Sequence, residues 1–385
     1  MQHRTVQFLL FFSVVFTLYT ILNSYIFIRG LGVVPPEFHP WYIIGFVFLA
    51  YSYWWGRLLE RVTLAWPTKL LVFTGAYWLS AMVYFYMILI TIDVLRLINH
   101  VIPIFPTFIS ANLGLAARVT AISVVGIVSL VVAAGHFNAR RPRLTKLDLM
   151  IPKNSHPLKS LNIVVASDIH LGTIVSKKRL ERIVESINAL NPDLVLLPGD
   201  VVDEDLGPVI HQNIGETLRT IKSKYGVLAC TGNHEYIGGV EDAFQYLTDH
   251  GIRVLRDSFL KVADSVFVIG REDRAIRQFA GKVRKPLEEI MAGVDKDYPV
   301  ILMDHQPAHL EEAVQHGIDL QLSGHTHHGQ LWPFSFITKK LFEVSWGYKL
   351  KERTHVYVSS GVGTWGPPVR TGNRPEIVQI HLSFH

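Results

Sequence analysis

Two long stretches without a charged residue constrain the fold of this chain more than any other feature. Residues 6–28 and 70–92 are each 23 residues long and contain no Asp, Glu, Lys or Arg. A helix of ~20 residues is enough to cross the hydrocarbon core of a bilayer. Both stretches are therefore predicted to span a membrane.

Two shorter apolar stretches, 41–55 and 119–135, reach spanning length only if flanking residues contribute. Arg57 and Arg118 at their ends would then extend toward the lipid headgroups. With these segments included, residues 1–136 are predicted to form a four-helix transmembrane bundle. Its spans lie at about 6–28, 38–57, 70–92 and 115–135.

The positive charges in the connecting loops predict the orientation of this bundle. With four crossings, the loops on one side carry eight Lys and Arg residues and those on the other side carry three. Positive residues collect on the cytoplasmic side of a membrane. We therefore expect a multi-pass protein of the cell (inner) membrane whose remaining part is cytoplasmic, an orientation that reverses if one short segment does not span.

The polar residues around the ends of the last two segments admit two interpretations. Asp93, Arg96, His100 and Arg118 either line a polar pathway through the bundle or pair with one another at the interface. Pairing is favoured because a charge near a helix end costs far less than one at mid-depth.

The charge balance separates the chain into two parts. Residues 1–150 carry a net charge of +7, whereas residues 151–385 carry −2. The second part has no excess of basic residues for a nucleic-acid surface, so no nucleic-acid partner is expected and a nuclease is disfavoured. A single cysteine excludes a disulfide framework, a Cys-rich zinc module and an iron–sulfur cluster.

Residues 137–160 contain several prolines and many basic side chains, which predicts a juxtamembrane linker rather than a packed element. Arg140, Arg141, Arg143 and Lys146 in this segment are suited to contact anionic lipid.

From residue 161 onward, short apolar stretches alternate with amphipathic ones. This pattern predicts an α/β domain over 161–385 with largely buried strands. Helical periodicity covers 177–190 and 239–250. The predicted strands are 161–166, 193–197, 226–229, 300–303 and 318–322.

Each predicted strand is followed by side chains that can bind a metal ion. In chain order the motifs are Asp168-Ile-His170, Gly199-Asp200-Val-Val-Asp203, Gly232-Asn233-His234-Glu235, Asp304-His305-Gln-Pro307 and Gly324-His325-Thr326-His327. Asp168, Asp200 and Asn233 are separated by 32 and 33 positions, about one strand–helix–strand unit each. Successive units bring such residues to the same edge of an open sheet.

The donor set indicates the class of metal. Oxygen and imidazole donors without thiolate suit Mn, Fe or Zn rather than a structural zinc site. Six or seven donors exceed the needs of one tetrahedral ion, and a carboxylate among them can bridge two ions. Such a pair of metals activates water and clamps a phosphorus centre.

These motifs, in this order and at these spacings, resemble those of the calcineurin-like metallophosphoesterases. The resemblance covers about 161–385 and extends to Ser360–Arg370 and Asn373–Ile377, which are similar to the membrane-associated YkuE/YaeI group. It implies two mixed β-sheets flanked by helices and two divalent cations, with Mn preferred over Fe or Zn.

The resemblance also implies a role for each motif residue. One ion would be bound by Asp168, His170, Asp200 and His327, and the second by Asp200, Asn233, His305 and His325. A hydroxide between the ions would attack phosphorus in line. His234 would act as general acid, or as a cation that stabilises the leaving oxygen, and Asp203 would orient it.

The chain departs from the family pattern at two places. Glu204 and Asp205 follow the second motif where protein phosphatases have Arg-Gly, which argues against protein substrates. His328 follows the last motif in place of the usual Gly, and it either faces solvent, which we favour, or touches substrate.

Three residues outside the motifs have alternative interpretations. Arg370 and Arg374 are candidates to bind a substrate phosphate, although Arg374 could instead pair with Glu376. Cys230 is interpreted as a small buried hydrophobe, because no His–Asp pair is free to activate it as a nucleophile.

The stretch 331–351 mixes aromatic residues with Lys339, Lys340, Lys349 and Lys351. It either lies on a bilayer surface or covers the core.

The sequence thus predicts a membrane-anchored, metal-dependent phosphoesterase that cleaves a phosphodiester or pyrophosphate bond of a lipid-linked substrate, with the bilayer as its partner. The alternatives are a membrane regulatory protein whose phosphoesterase fold only binds a phosphorylated ligand, and a general phosphomonoesterase.

Overall fold

The chain divides into two compact units, one ending at Ala134 and one from Gly135 to His385. The structure is a computed structural model, and it describes residues 2–385. The helices of the first unit are α1 (Gln2–Leu31), α2 (His39–Glu60), α3 (Trp66–Val101), α4 (Thr107–Ala111) and α5 (Leu113–Ala139), the last of which ends in the second unit.

Three helices within residues 2–385 are long and apolar enough to cross a membrane. They comprise Phe12–Leu31 of α1, all of α3 and all of α5. Helix α2 forms at the predicted place and has 22 residues, but it is rich in Trp and Tyr and is not among the three. Three of the four predicted segments therefore form helices that are long and apolar enough to span, and the four-span bundle stays a prediction.

Helices α2 and α3 pack at small residues. A Cβ atom on Gly75 would lie 2.1 Å from the backbone nitrogen of Tyr53, and one on Gly56 would lie 2.7 Å from that of Val72. Glycine is needed at both positions because any larger side chain would separate the backbones.

The polar residues at the helix ends pair with one another. Asp93 of α3 accepts a hydrogen bond from the Tyr25 hydroxyl at 2.6 Å and forms an ion pair with Arg29, both of α1. Arg96 lies 3.8 Å from the same carboxylate. For Asp93, the structure shows the pairing that the sequence analysis favours.

The second unit contains two six-stranded sheets within its described residues. The strands are β1 (Arg143–Ile151), β2 (Ser160–Val165), β3 (Leu194–Pro198), β4 (Val227–Cys230), β5 (Ile252–Val254), β6 (Ser258–Val262), β7 (Val266–Gly270), β8 (Val300–Met303), β9 (Leu320–Ser323), β10 (Gly347–Lys351), β11 (Thr354–Val358) and β12 (Glu376–Phe384). The first sheet has the order β1-β12-β2-β3-β4-β5 and the second β10-β11-β9-β8-β7-β6.

Both sheets are mixed. In the first, β12 runs antiparallel to β2, while β2, β3, β4 and β5 are parallel neighbours. In the second, β7, β8, β9 and β11 are parallel, and β6 and β10 flank them antiparallel. The five sequence-predicted strands are confirmed as β2, β3, β4, β8 and β9, within one or two residues at each end.

One hydrophobic core lies between the sheets, where Ile163 and Leu196 of the first sheet cluster with Val268 and Ile301 of the second. Helices cover the outer faces. They are α6 (Lys177–Asn188), α7 (Gly207–His211), α8 (Ile214–Leu218), α9 (Asn233–Gly238), α10 (Val240–Asp249), α11 (Ile276–Phe279), α12 (Leu287–Met291), α13 (Leu310–His316) and α14 (Ser335–Leu341). The two predicted helices, 177–190 and 239–250, are confirmed as α6 and α10.

The segment 137–160, which the sequence assigns to a linker, instead contributes strand β1 to the first sheet. Arg143 to Ile151 pair in parallel with Glu376 to Phe384 of β12. Leu149 and Ile151 point into the core, while Lys146 and Asp148 face solvent. A strand with one solvated face alternates polar and apolar residues, and residues 146–149 follow this pattern.

Candidate metal centre

The side chains predicted to bind metal occupy the loops that follow β2, β3, β4, β8 and β9. These strands are parallel within their sheets, so their carboxyl ends lie at one edge. The structure brings all seven residues together at this edge: Asp168, His170, Asp200, Asn233, His305, His325 and His327.

The first group of donors consists of Asp168, His170 and His327. Nε2 of His170 lies 2.9 Å from Nε2 of His327, and the latter atom lies 3.6 Å from Oδ1 of Asp168. Two nitrogens that bind one ion at ~2.1 Å at right angles would be about 3 Å apart. The spacing therefore fits a shared metal ion.

The second group consists of Asp200, Asn233, His305 and His325. Oδ1 of Asn233 lies 3.1 Å from Nε2 of His305 and 2.8 Å from Nδ1 of His325. Nδ1 of His305 donates to the carbonyl of Pro198 at 2.9 Å, which directs Nε2 toward the group.

Asp200 connects the two groups. Its Oδ2 atom lies 3.1 Å from Nε2 of His305 and 3.8 Å from Nε2 of His170. Nδ1 of His170 is buried and has no hydrogen-bond partner among the described residues, which is unusual for a polar atom. Oxygen and imidazole donors around a shared carboxylate fit two divalent cations.

The surroundings of His325 and His327 favour their neutral form, whereas for His305 burial lowers the pKa but the charge of Asp200 outweighs this effect and raises it well above its ordinary value. Burial, together with the positive charge of His305, lowers the pKa of His325 to about 3. Burial also lowers the pKa of His327 well below its ordinary value, with His170 adding to the effect. Only neutral imidazole has a lone pair for a metal, so both side chains are in the form that binds one.

The backbone is unusual at five of the seven donors. Positive φ values between 45° and 69° occur at Asp168, His170, Asp200, His325 and His327. Non-glycine residues rarely adopt this left-handed conformation, and its cost must be offset by the surrounding packing. Strain therefore accumulates at the site itself.

Glycines next to the donors allow close approach of neighbouring carboxylates. A Cβ atom on Gly324 would lie 2.1 Å from Oδ2 of Asp168, and one on Gly232 would lie 2.1 Å from Oδ1 of Asp200. No side chain fits at either position without displacing a donor.

Glu235, the last residue of the third motif, is a functional residue for which the sequence analysis gave no role. It is buried, and its carboxylate accepts from the backbone nitrogens of Gly232, Asp200 and Val202 at 2.7–3.1 Å. Burial and the charge of Asp200 raise its pKa to about 6. Glu235 thereby ties the loop after β3 to the loop after β4.

His234 and Asp203 form a pair beside the donors. Nδ1 of His234 donates to Oδ1 of Asp203 at 3.0 Å. Burial lowers the pKa of His234, but the charges of Asp200 and Asp203 outweigh this effect and raise it to about 9. The other nitrogen, Nε2, is left for a substrate.

Arg370 is fully buried, which differs from the predicted contact with a substrate phosphate. Its Nη2 atom lies 3.0 Å from Nδ1 of His327 and donates to the carbonyl of Gly363, and Nη1 donates to Oδ1 of Asn373. Its donors are thus occupied by the protein. Asn373, which also binds the carbonyl of His327, is a second residue that the sequence analysis missed.

Arg374 and His328 also differ from expectation. Arg374 is exposed and donates to the carbonyl of Arg141, whereas Glu376 binds Arg143 at 3.1 Å. His328 neither faces solvent nor points at the donors, because its Nδ1 lies 3.2 Å from Oγ of Ser345 in a buried position.

Cys230 agrees with its interpretation as a buried hydrophobe. It is 1% exposed and packs in the core between the sheets, where burial raises the pKa of its thiol well above the usual range.

The fold and the donor set define an α/β phosphoesterase with a site for two metals. Residues 161–329 match the family of calcineurin-like phosphoesterases. The chain is 35% identical over 259 residues to a transmembrane protein with metallophosphoesterase domain from Danio rerio, covering 63% of this chain and 58% of that protein.

Two bacterial relatives match a larger share of their own length. An uncharacterized metallophosphoesterase of Aquifex aeolicus is 32% identical over 224 residues, covering 58% of this chain and 85% of the relative. YkuE of Bacillus subtilis is 29% identical over 253 residues, which cover 60% of this chain and 86% of YkuE. The chain belongs to the calcineurin-like phosphoesterase family, although it spans only 58–64% of the length of the Danio rerio protein and a Helicobacter pylori relative.

Proposed function

We propose that this protein is a membrane-anchored phosphoesterase that uses two divalent ions to hydrolyse a phosphodiester or pyrophosphate bond. The observation that carries the proposal is the carboxylate of Asp200, which lies within 3.1–3.8 Å of His305 in one donor group and of His170 in the other. Two such ions supply positive charge to phosphoryl oxygens and lower the pKa of water.

In this proposal each donor group holds one ion. Asp168, His170, Asp200 and His327 bind the first, and Asp200, Asn233, His305 and His325 bind the second, with Mn as the preferred metal. Buried donors held by backbone hydrogen bonds keep their geometry before substrate arrives, which favours positioning of the phosphoryl group.

His234 donates the proton to the leaving oxygen in this proposal, and Asp203 orients it. Support comes from the hydrogen bond at Nδ1, which fixes the ring and leaves Nε2 as the donor. Trp365 lies beside this ring, with the ring centroids 6.1 Å apart.

The test uses the full chain purified in detergent, stripped with a chelator and reloaded with Mn. We expect two bound metals per chain and hydrolysis of bis(p-nitrophenyl) phosphate. Asn233→Ala and His325→Ala should each reduce turnover by about 10³-fold or more. The matched control is His381→Ala, which removes an exposed imidazole from β12. Undiminished turnover in both site variants would refute the proposal.

The same preparation tests the alternative of a regulatory protein that only binds a phosphorylated ligand. Two bound metals without hydrolysis of any phosphomonoester, phosphodiester or nucleotide-linked glycolipid would favour that alternative. Preference for the monoester would favour a general phosphomonoesterase.

We further propose that the substrate is lipid-linked and that, with α2 as a fourth span, the second unit, which we call the catalytic unit, is cytoplasmic. The three long apolar helices support membrane attachment. Faster hydrolysis of the glycolipid than of the soluble diester would support this substrate class.

A further inference from the structure

The catalytic unit exposes a cluster of large apolar side chains around helix α14. Trp332 precedes the helix, and Phe336, Ile337 and Leu341 on it are 54–71% exposed. Trp365 belongs to the same surface, because its backbone exchanges hydrogen bonds with the side chain of Gln330 at 2.9–3.1 Å. We call these five residues the aromatic face. Several large apolar side chains exposed in one region of a fold are typical of a binding surface.

Unpaired positive charge accompanies the aromatic face. Lys339 and Lys340 lie in the last turn of α14, are exposed, and form no ion pair within the described part of the chain. Lys349 and Lys351 differ, because both bind Glu343 at 2.7–2.8 Å. Apolar side chains beside unpaired lysines complement the interface of an anionic bilayer.

The aromatic face lies close to the point where the chain enters the catalytic unit. The backbone nitrogen of Trp332 donates to the hydroxyl of Thr371 at 3.0 Å, and that of Arg370 donates to the carbonyl of Gly135 at 3.0 Å. Gly135 belongs to the final turns of α5, a helix able to span a membrane. Tryptophan is enriched at the level where spans leave the bilayer.

The aromatic face also borders the metal centre. Trp365 lies beside His234, and Phe342, which follows Leu341, lies beside His325 with ring centroids 6.0 Å apart. A headgroup at the level of the aromatic face would therefore be near the donors that hold the two ions.

We propose that the aromatic face lies in the headgroup region of an anionic bilayer and that the phosphoester of a lipid in this bilayer is the substrate of the metal centre. The identity of the substrate rests on the proposed function. The proposed contact of the aromatic face with lipid does not rest on that function. It follows from the exposed apolar side chains, the unpaired lysines and the short link to α5.

The test of the contact needs no catalysis. In the full chain, Ile337→Cys is labelled with an environment-sensitive fluorophore in nanodiscs of phosphatidylcholine and phosphatidylglycerol. The native thiol does not compete, because Cys230 is buried. Met150→Cys is the matched control, since Met150 is 58% exposed and lies seven residues along β1 from Arg143, about 23 Å away.

Lipids with a nitroxide near the headgroup should quench the label at residue 337 at least about twofold more than the label at residue 150. Exchanging Lys339 and Lys340 for Gln, or omitting phosphatidylglycerol, should reduce this difference. Equal quenching at both positions in the native background would overturn the proposed contact.

A second measurement addresses the substrate. Phe336→Asp with Leu341→Asp should lower hydrolysis of a p-nitrophenyl phosphatidyl ester in nanodiscs by about tenfold and leave hydrolysis of soluble bis(p-nitrophenyl) phosphate within about twofold. Equal losses on both substrates would refute the lipid role. Absence of any turnover by the native chain would instead refute the proposed function. The fluorescence quenching experiment would still test whether the aromatic face contacts lipid.

Discussion

The Nη2 atom of Arg370 lies 3.0 Å from Nδ1 of His327, on the side of the ring that faces away from the metal donors. The guanidinium is fully buried and is held by Gly363 and Asn373. A guanidinium only donates and cannot accept the Nδ1–H of a metal-bound His327, so Arg370 acts on this residue through Asn373, whose side chain also binds the carbonyl of His327. Arg370 is thus a positioning residue rather than a contact for substrate.

Arg370→Ala is predicted to weaken metal binding about 10–100-fold, because Arg370 holds Asn373, and Asn373 holds the backbone of the ligand residue His327. The Mn concentration at half-maximal activity measures this effect. Arg374→Ala is the matched control and should change it little, since Arg374 is exposed and contacts only the backbone of Arg141 within the described chain. Equal effects of the two variants would contradict the assigned role.

His234→Ala is predicted to lower kcat by about 10²–10⁴-fold for a diester with an alkyl leaving group and by less for one with p-nitrophenol. The reason is that a poor leaving oxygen needs a proton and a good one does not. Turnover of the two diesters by the same preparation measures the difference. Equal losses on both would argue against proton donation.

Gly324→Ala is predicted to abolish tight metal binding, because the new Cβ would lie 2.0 Å from Oγ of Ser167 and 2.1 Å from Oδ2 of Asp168. The strain should also lower the free energy of unfolding by about 1–3 kcal/mol. Gly172→Ala is the control, as its Cβ would meet Asp203 at an ordinary 3.4 Å. Metal analysis and thermal unfolding check both variants, and normal metal content in Gly324→Ala would contradict the packing argument.

Asn138→Ala is predicted to loosen the segment that carries Arg370. The side-chain nitrogen of Asn138 donates to the carbonyls of Arg370 and Asn373 at 2.8 and 2.7 Å. Losing both bonds should destabilise the catalytic unit by about 1–3 kcal/mol and speed hydrogen exchange in residues 370–373. Unchanged exchange there would show that other contacts hold the segment.

Cysteine labelling in intact cells tests whether α2 spans the membrane. With four spans, an impermeant maleimide should label Glu37→Cys but neither Val62→Cys nor Val283→Cys until the cells are permeabilised. If α2 does not span, residues 37 and 62 lie on the same side of the membrane, so Glu37→Cys and Val62→Cys should react alike in intact cells. Val62 and Val283 are both 82% exposed, so access within the protein does not limit either reaction.

The seven donors could be found from the sequence because each directly follows a short apolar strand. Spacings of 32 and 33 residues between Asp168, Asp200 and Asn233 equal one strand–helix–strand unit, so local pattern and fold agree. The strands β2, β3, β4, β8 and β9 could also be predicted from the sequence, because they are buried on both faces and contain few polar residues.

The residues that the sequence did not reveal act through distant contacts. Arg370 meets His327 across 43 positions, and Glu235 joins loops from two different strands. Neither contact leaves a periodic or spacing signal. Strand β1 was missed for another reason. Leu147, Leu149 and Ile151 do alternate with Lys146 and Asp148, but this short signal lies among prolines and basic residues that favoured a linker.

The place of β1 within the first sheet sets how closely the end of α5 is tied to that sheet. Only residues 140–142 separate the end of α5 from the start of β1, and Arg143 is already paired with Glu376. Three residues reach at most about 10 Å when fully stretched. The carboxyl end of α5 and the first residue of β1 are therefore tethered within this distance of each other.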